Sequence, residues 1–229
     1  MARSKSQQIA LDNKDYVEEI LSLRQGLRLH YRQYEGSFSN PNGRINEQCL
    51  EWLVRMAGFI VKVQQERLQI DSVHLLELYC GCGNHTMALA HTFHQVTAVE
   101  LDKKLCEAAR RNAEVNQLAD RVQILQSHSE KFCHSVLRKR SHEGNAFHAI
   151  LVDPPRAGLD PSTLELVSHF DFILYISCNP TSLMRDLNMR LASSHKLVQI
   201  ALFDQFAGTP FLEAAICLCK QEIPINEGI

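Results

Sequence analysis

"VHLLELYCGCGN" occupies residues 73–84. A largely apolar run gives way to Gly81 and Gly83, separated by a single cysteine. Such a run suits a strand covered on both faces, and the glycines permit a tight turn with close backbone approach. "HTMALAHTF" then reads as a helix and "QVTAVEL" (95–101) as a second strand. The alternation continues with an amphipathic helix "KKLCEAARRNAEVNQL", a strand "RVQILQS", a helix "SEKFCHSVLRKR" and a strand "AFHAILVDPPR". It goes on through a helix "PSTLELVSHF", a strand "DFILYISCNP" and a helix "PTSLMRDLNMRLASS". Strands separated by helices predict a mostly parallel sheet with helices on both faces. The last two strands, in "KLVQIALFDQF" and "PFLEAAICLCK", have only a short loop between them, so they pair antiparallel.

Upstream of this core, "NEQCLEWLVRMAGFIVKVQQERL" places apolar residues 50, 53, 54, 57, 60 and 61 on one helical face. Residues 27–46 read as a short strand followed by a Gly/Ser/Asn/Pro loop, and residues 1–20 as a frayed start or short helix. The chain thus divides into an N-terminal segment, 1–65, packing on an α/β domain, 66–229. Its 229 residues, 45% hydrophobic and 22% charged, suit one such domain with a short appendage. A formal net charge of −2 neither points to nor excludes a polyanionic partner, because a basic patch can sit on a neutral protein.

The eight cysteines form no C-x-x-C pair, and the two C-x-C pairs, 80/82 and 217/219, lack zinc spacing, so no metal is expected. Without a secretory signal or a long apolar run, reduced thiols in an intracellular, cytoplasmic setting fit best.

In open α/β sheets ligands sit beyond the carboxyl ends of the strands. Glu100, closing the second strand, is placed to accept hydrogen bonds from ribose hydroxyls. The third glycine of a dinucleotide fingerprint is replaced by Thr86, which argues against NAD. At the same sheet edge "LVDPPRAGLD" (151–160) ends a strand on Asp153 before a turn stiffened by two prolines, and "LYISCNP" (174–180) ends one on Cys178. A structural cysteine is expected mid-strand. One at a strand end before a helix N-terminus is expected to have a depressed pKa and to serve as a nucleophile. By fold analogy, a parallel sheet ending in an antiparallel hairpin is the layout of methyltransferases that use S-adenosylmethionine.

"SFSNPN", "LLELYCGCGNHTMALA", "VDPPRAGLD", "YISCNP" and "ALFDQF" together resemble the tRNA (uracil-5-)-methyltransferase family. The resemblance implies a Rossmann-like methyltransferase fold with a seven-stranded sheet. It also implies methylation of uridine carbon 5 in RNA, most simply tRNA, with S-adenosylmethionine as cofactor. It assigns Cys178 as nucleophile and Glu213 as general base. It places Asn40, Tyr79, Gly81, Gly83, Asn84, Glu100 and Asp153 at the cofactor, and Phe38 and Arg156 at the target base. Two positions depart from the family pattern. Asn40 stands where the family has Gln, and Ala214–Ala215 follow Glu213 where Cys-Gly is common. Family members carry more chain before "SFxxPN", so this chain corresponds to the catalytic portion.

For RNA phosphates the basic cluster is Arg138, Lys139 and Arg140, with His134 and His142, although a solvated helix end reads the same way. Phe38, Phe203 and Phe206 are candidates for stacking on a flipped base. Two other readings remain open on these residues. One is an amino-group methyltransferase, which needs no cysteine. The other is a methyltransferase-like domain that binds RNA or cofactor without catalysis.

Overall fold

The computed structural model describes residues 16–34, 39–143, 147–209 and 211–225. Strands β1 (Tyr16–Ser22) and β2 (Arg28–Tyr34) form an antiparallel hairpin. Helix α1 (Gly43–Leu68) follows, capped by the Asn42 side chain, which accepts from the Ile45 amide at 3.3 Å. Then come β3 (His74–Leu78), α2 (Asn84–Leu89), β4 (Gln95–Glu100), α3 (Lys103–Val115), β5 (Val122–Gln126) and α4 (Ser129–Glu143). The chain continues with β6 (Ala149–Val152), α5 (Pro161–Val167), β7 (Phe172–Ser177), α6 (Pro180–Asp186), β8 (His195–Phe203) and β9 (Glu213–Lys220). The main sheet has seven strands in the order β5-β4-β3-β6-β7-β9-β8. Its first five strands run parallel, and β9 is antiparallel to both of its neighbours.

Side chains alternate across this sheet to build two cores. Ala149 and Leu151 of β6, Phe172, Leu174 and Ile176 of β7, and Ala215, Cys217 and Cys219 of β9 face one side. There they meet Leu50, Leu53 and Ile60 of α1 and Leu21, Leu29 and Tyr31 of the hairpin. Ile150, Val152, Ile173, Tyr175, Ile216 and Leu218 face the other side, against α4, α5 and α6. Burial on both faces explains the near-continuous apolar runs. It also explains the second C-x-C pair: Cys217 and Cys219 lie two apart on one face of β9, inside the core.

Several expectations are revised. Tyr16–Ser22 is a strand, because pairing with β2 and packing of Leu21 and Leu29 override a weak local preference. The first strand of the main sheet stops at Leu78, and Tyr79 turns out of it with φ +64°. The helix begun at Pro180 does not continue regularly: Leu187–Leu191 forms a π-helical turn. Among the described residues no helix is long and apolar enough to cross a membrane.

One buried group carries a testable cost. Glu77 of β3 is fully buried; Thr86 Oγ1 donates to its Oε2 at 2.7 Å, while Oε1 has no partner. Burial pushes its carboxyl from 4.5 up to about 8. A carboxyl with a raised folded-state pKa favours folding at low pH and loses that contribution as the unfolded chain ionises. The stability of the protein is therefore expected to decline between pH 4.5 and about 8 through this group. Glu77→Gln is expected to flatten that decline, measured as urea midpoints across the pH range.

Candidate active site

The carboxyl ends of β3, β4, β6 and β7 and the start of β9 open on one cavity of about 640 Å³. Its lining includes Asn40, Tyr79, Gly81, Asn84, Glu100, Asp153, Arg156, Cys178 and Glu213. That volume lies within the range of small-molecule sites. Of the residues singled out in the sequence, Gly83 is not on the wall, and Phe38 lies outside the described residues. Gly83 serves packing: with φ +82°, it would bring a Cβ to 2.7 Å from Met87 Cε and 3.4 Å from Ala109 Cβ. Phe203 is buried in the core under α1, whereas Phe206 reaches the cavity. Helix α4 carries the basic cluster, but the side chains of 137–143 are outside the described set.

Glu100 anchors the glycine turn. Its Oε2 accepts from the Gly81 amide at 3.0 Å, and its Oε1 from the amides of Leu101 and Asp102 at 2.6 and 2.8 Å. A carboxylate has about four acceptor sites, so room is left for ligand hydroxyls.

A chain of asparagines forms the opposite wall. Asn40 Nδ2 donates to Asn46 Oδ1 at 3.0 Å. Asn46 and Asn84 exchange a reciprocal amide pair at 2.8 and 2.9 Å. The Asn84 carbonyl accepts from the Tyr31 hydroxyl at 2.8 Å. Asn46 escaped the sequence analysis, although its signal was present. It lies four residues before Leu50, a polar residue on an otherwise apolar helical face.

The reactive end is set by strand register. Ser177 of β7 pairs with Ala214 of β9, so Cys178, the residue just after β7, falls beside Glu213. Leu78 pairs with Val152, which carries Asp153 into the same edge. Cys178 is half-buried, while the other seven cysteines are buried.

The thiol differs from expectation. Burial, then the facing carboxyls of Glu213 and Asp153, raise its pKa above 9.0, and Arg156 opposes them. Burial also lifts Glu213 from 4.5 to about 7. Asp153 rises well above 3.8 through burial and then through Glu213 and Glu77. His85, missed in the sequence, is buried on the cavity wall with its Nδ1 3.8 Å from Asp153 Oδ2. Burial lowers the His85 imidazole to about 4, so it is neutral and the contact is not an ion pair at neutral pH.

The "PPRAGLD" turn is held from beneath. Buried Asp186 accepts from the Leu159 amide at 2.8 Å and the Tyr175 hydroxyl at 2.7 Å. Arg185 Nη2 donates to the Ala157 carbonyl at 2.8 Å, and Asp160 caps α5 through the Thr163 amide at 3.0 Å.

Sheet order and cleft position define the fold of an S-adenosylmethionine-dependent methyltransferase. The model of the tRNA (uracil-5-)-methyltransferase family matches residues 1–221, and the chain belongs to that family. A tRNA/tmRNA (uracil-C(5))-methyltransferase of Shewanella frigidimarina is 38% identical over 229 residues, covering 96% of this chain and 59% of that protein. One from Shewanella sp. (strain MR-4) is 40% identical over 226 residues, covering 95% and 58%. The chain thus spans about three-fifths of the curated relatives it matches.

Among solved structures, the Pyrococcus abyssi tRNA (uracil-54, C5)-methyltransferase in complex with S-adenosyl-L-homocysteine superposes with TM-score 0.68 at 25% identity. It covers 94% of this chain, which spans 48% of it. A SAM-dependent methyltransferase fold from Streptococcus mutans matches with TM-score 0.66 at 13% identity, over 92% of this chain and 57% of that one.

Gly158 tests how the turn is held. It has φ +80°, and an added Cβ would lie 2.7 Å from Asp186 Oδ2 and 2.5 Å from Arg185 Nη2. Gly158→Ala is expected to destabilise the fold by roughly 1–3 kcal/mol, read by urea denaturation, through left-handed strain plus that crowding.

Proposed function

We propose that this chain is the catalytic portion of an RNA (uracil-5-)-methyltransferase acting on tRNA, with Cys178 as nucleophile and Glu213 as base. In this reading residues 66–229 form the catalytic domain, and 1–65 are the segment that packs on it. The carrying observation is the β7–β9 register, which sets a half-exposed thiol beside a carboxyl whose pKa is about 7. A base poised near neutral pH is matched to removing and releasing a proton there.

The lining also suits the cofactor. Asp153, Glu213 and Glu100 are acidic groups on a wall that would face a positively charged ligand. Gly81, where an added Cβ would meet no heavy atom within 4 Å, leaves backbone accessible. Asn40, Tyr79, Asn84 and Glu100 would hold the nucleoside and amino-acid ends, and Asp153 would face the charged centre. Asn40, although a methylene shorter than Gln, reaches the wall by bonding to Asn46. When bound, S-adenosylmethionine supplies an electrophilic methyl group and a positive charge.

The chain's own residues do the rest. The Cys178 thiolate adds to uracil carbon 6, and the electron pair of the carbon 5–carbon 6 double bond moves into an enolate, making carbon 5 nucleophilic. After carbon 5 is methylated, Glu213 takes its proton. That electron pair restores the double bond as the carbon–sulfur bond breaks and the thiolate leaves. Arg156 at the cavity mouth stabilises the thiolate. The neutral His85 lies beside Asp153 without adding charge.

RNA containing 5-fluorouridine gives the test, since fluorine at carbon 5 cannot leave as a cation and the adduct persists. A denaturing gel is expected to show a covalent complex with the wild type and none with Cys178→Ala, while calorimetry finds cofactor affinity retained. With ordinary RNA, Glu213→Gln is expected to accumulate a methylated adduct, because the amide keeps the shape but takes no proton. Normal turnover by Cys178→Ala would instead support an amino-group methyltransferase, and no adduct with any variant a non-catalytic domain.

A further inference from the structure

The loop between β8 and β9 brings two aromatic rings to the cavity mouth. Phe206 lines the cavity, and Phe211 stands edge-on to it with ring centroids 6.5 Å apart and planes at 82°. The outer ring is in turn covered: the Arg156 guanidinium carbon lies 3.8 Å from the Phe211 centroid. Contact at that distance is attractive, through the ring quadrupole and through dispersion against the flat guanidinium. The Arg156 backbone is tied separately, its carbonyl accepting from Asn179 Nδ2 at 2.9 Å, one residue beyond Cys178. Among the described residues no carboxylate pairs with Arg156, and the ring packs against its exposed side chain.

We infer that Phe211 is a positioning residue for Cys178: its ring holds the Arg156 guanidinium at the cavity that Arg156 and the thiol both line. The inference rests on the proposed role of Cys178. The groups facing this sulfur come from three sides. Burial disfavours the thiolate most, then Glu213 of β9 and Asp153 after β6, while Arg156 favours it. A flexible arginine would supply that opposition only part of the time. Seated on Phe211 it does so continuously, with little rotamer freedom left to lose. Phe206 in turn fixes the tilt of Phe211, so the aromatic pair and the arginine act as one unit on the sulfur.

The experiment follows Cys178 itself rather than methyl transfer. Thiolate attack on iodoacetamide forms a sulfur–carbon bond and expels iodide, so the rate against pH reports the thiol pKa. Peptide-resolved mass spectrometry assigns the label to Cys178. In Phe211→Leu the midpoint is expected to rise by about half a pH unit, with labelling at pH 8 roughly threefold slower. Phe211→Tyr, which keeps the ring face, is expected to restore the wild-type profile. Arg156→Ala is expected to raise the midpoint alone, and adding Phe211→Leu to it to do nothing further.

An unmoved midpoint in either single variant, failure of Phe211→Tyr to restore it, or equal further slowing in the double variant would overturn the inference. Urea midpoints near the wild type are expected for Phe211→Leu, because this side chain is 38% exposed. If 5-fluorouridine RNA gives no adduct while the labelling pattern holds, the proposed reaction falls and the positioning role stands. Adduct formation with unshifted labelling has the reverse meaning.

Discussion

The pairing of β9 against β7 is the constraint on which the site depends. Antiparallel register is all-or-none: a slip of one residue would turn every β9 side chain to the opposite face. Cys217 and Cys219 would leave one core, Ile216 and Leu218 would leave the other, and both cores are closed. Packing that extends the length of the strand therefore fixes where its first residue lies. Glu213 is held beside Cys178 by apolar contacts several residues away, not by any bond between the two. The small residues Ala214 and Ala215 let β9 sit between β7 and β8, pairing with Ser177 and Ile176 on one side and with Leu202 and Ala201 on the other.

That placement has an electrostatic consequence. Glu213 and Glu77 are buried acids and Asp153 is partly buried, and the carboxyls of all three rise above their ordinary range. Each is raised chiefly by loss of water, and the neighbouring acids add to the effect for Asp153 and Glu77. His85, buried among them, moves the other way and stays neutral. The cavity thus holds acidic groups that are reluctant to ionise without a cation, next to a thiol under the same restraint.

On the other wall the departure from the family's glutamine is absorbed locally. Asn46, buried at the start of α1, accepts from Asn40 and pairs with Asn84, so a helix, a loop and the glycine turn share one amide network. Amides that bond to one another orient each other more firmly than isolated polar contacts do. This is how the segment before the main sheet contributes to the cavity. It supplies Gln33 and Asn40 to the lining, and Tyr31 supports Asn84 from the hairpin.

The sequence by itself determined the alternation of strands and helices, the antiparallel ending and the edge at which Gly81, Glu100, Asp153 and Cys178 meet. These follow from local periodicity and from strand ends, which are written in short stretches. It also carried the family motifs. The tertiary structure alone decided what depends on residues distant in the chain. Tyr16–Ser22 became a strand only because Arg28–Tyr34 offers its edge and α1 covers Leu21. The Cys178 thiol was expected to be acidified by the helix after it, but burial, and then Glu213 and Asp153 brought in from other strands, raise its pKa. Gly83, expected at the cofactor, also has a packing reason that only the fold reveals, because Met87 and Ala109 close over it. Asn46, His85 and Phe211 carry no motif. Their importance comes from what folding sets beside them, and a one-dimensional pattern does not hold that information.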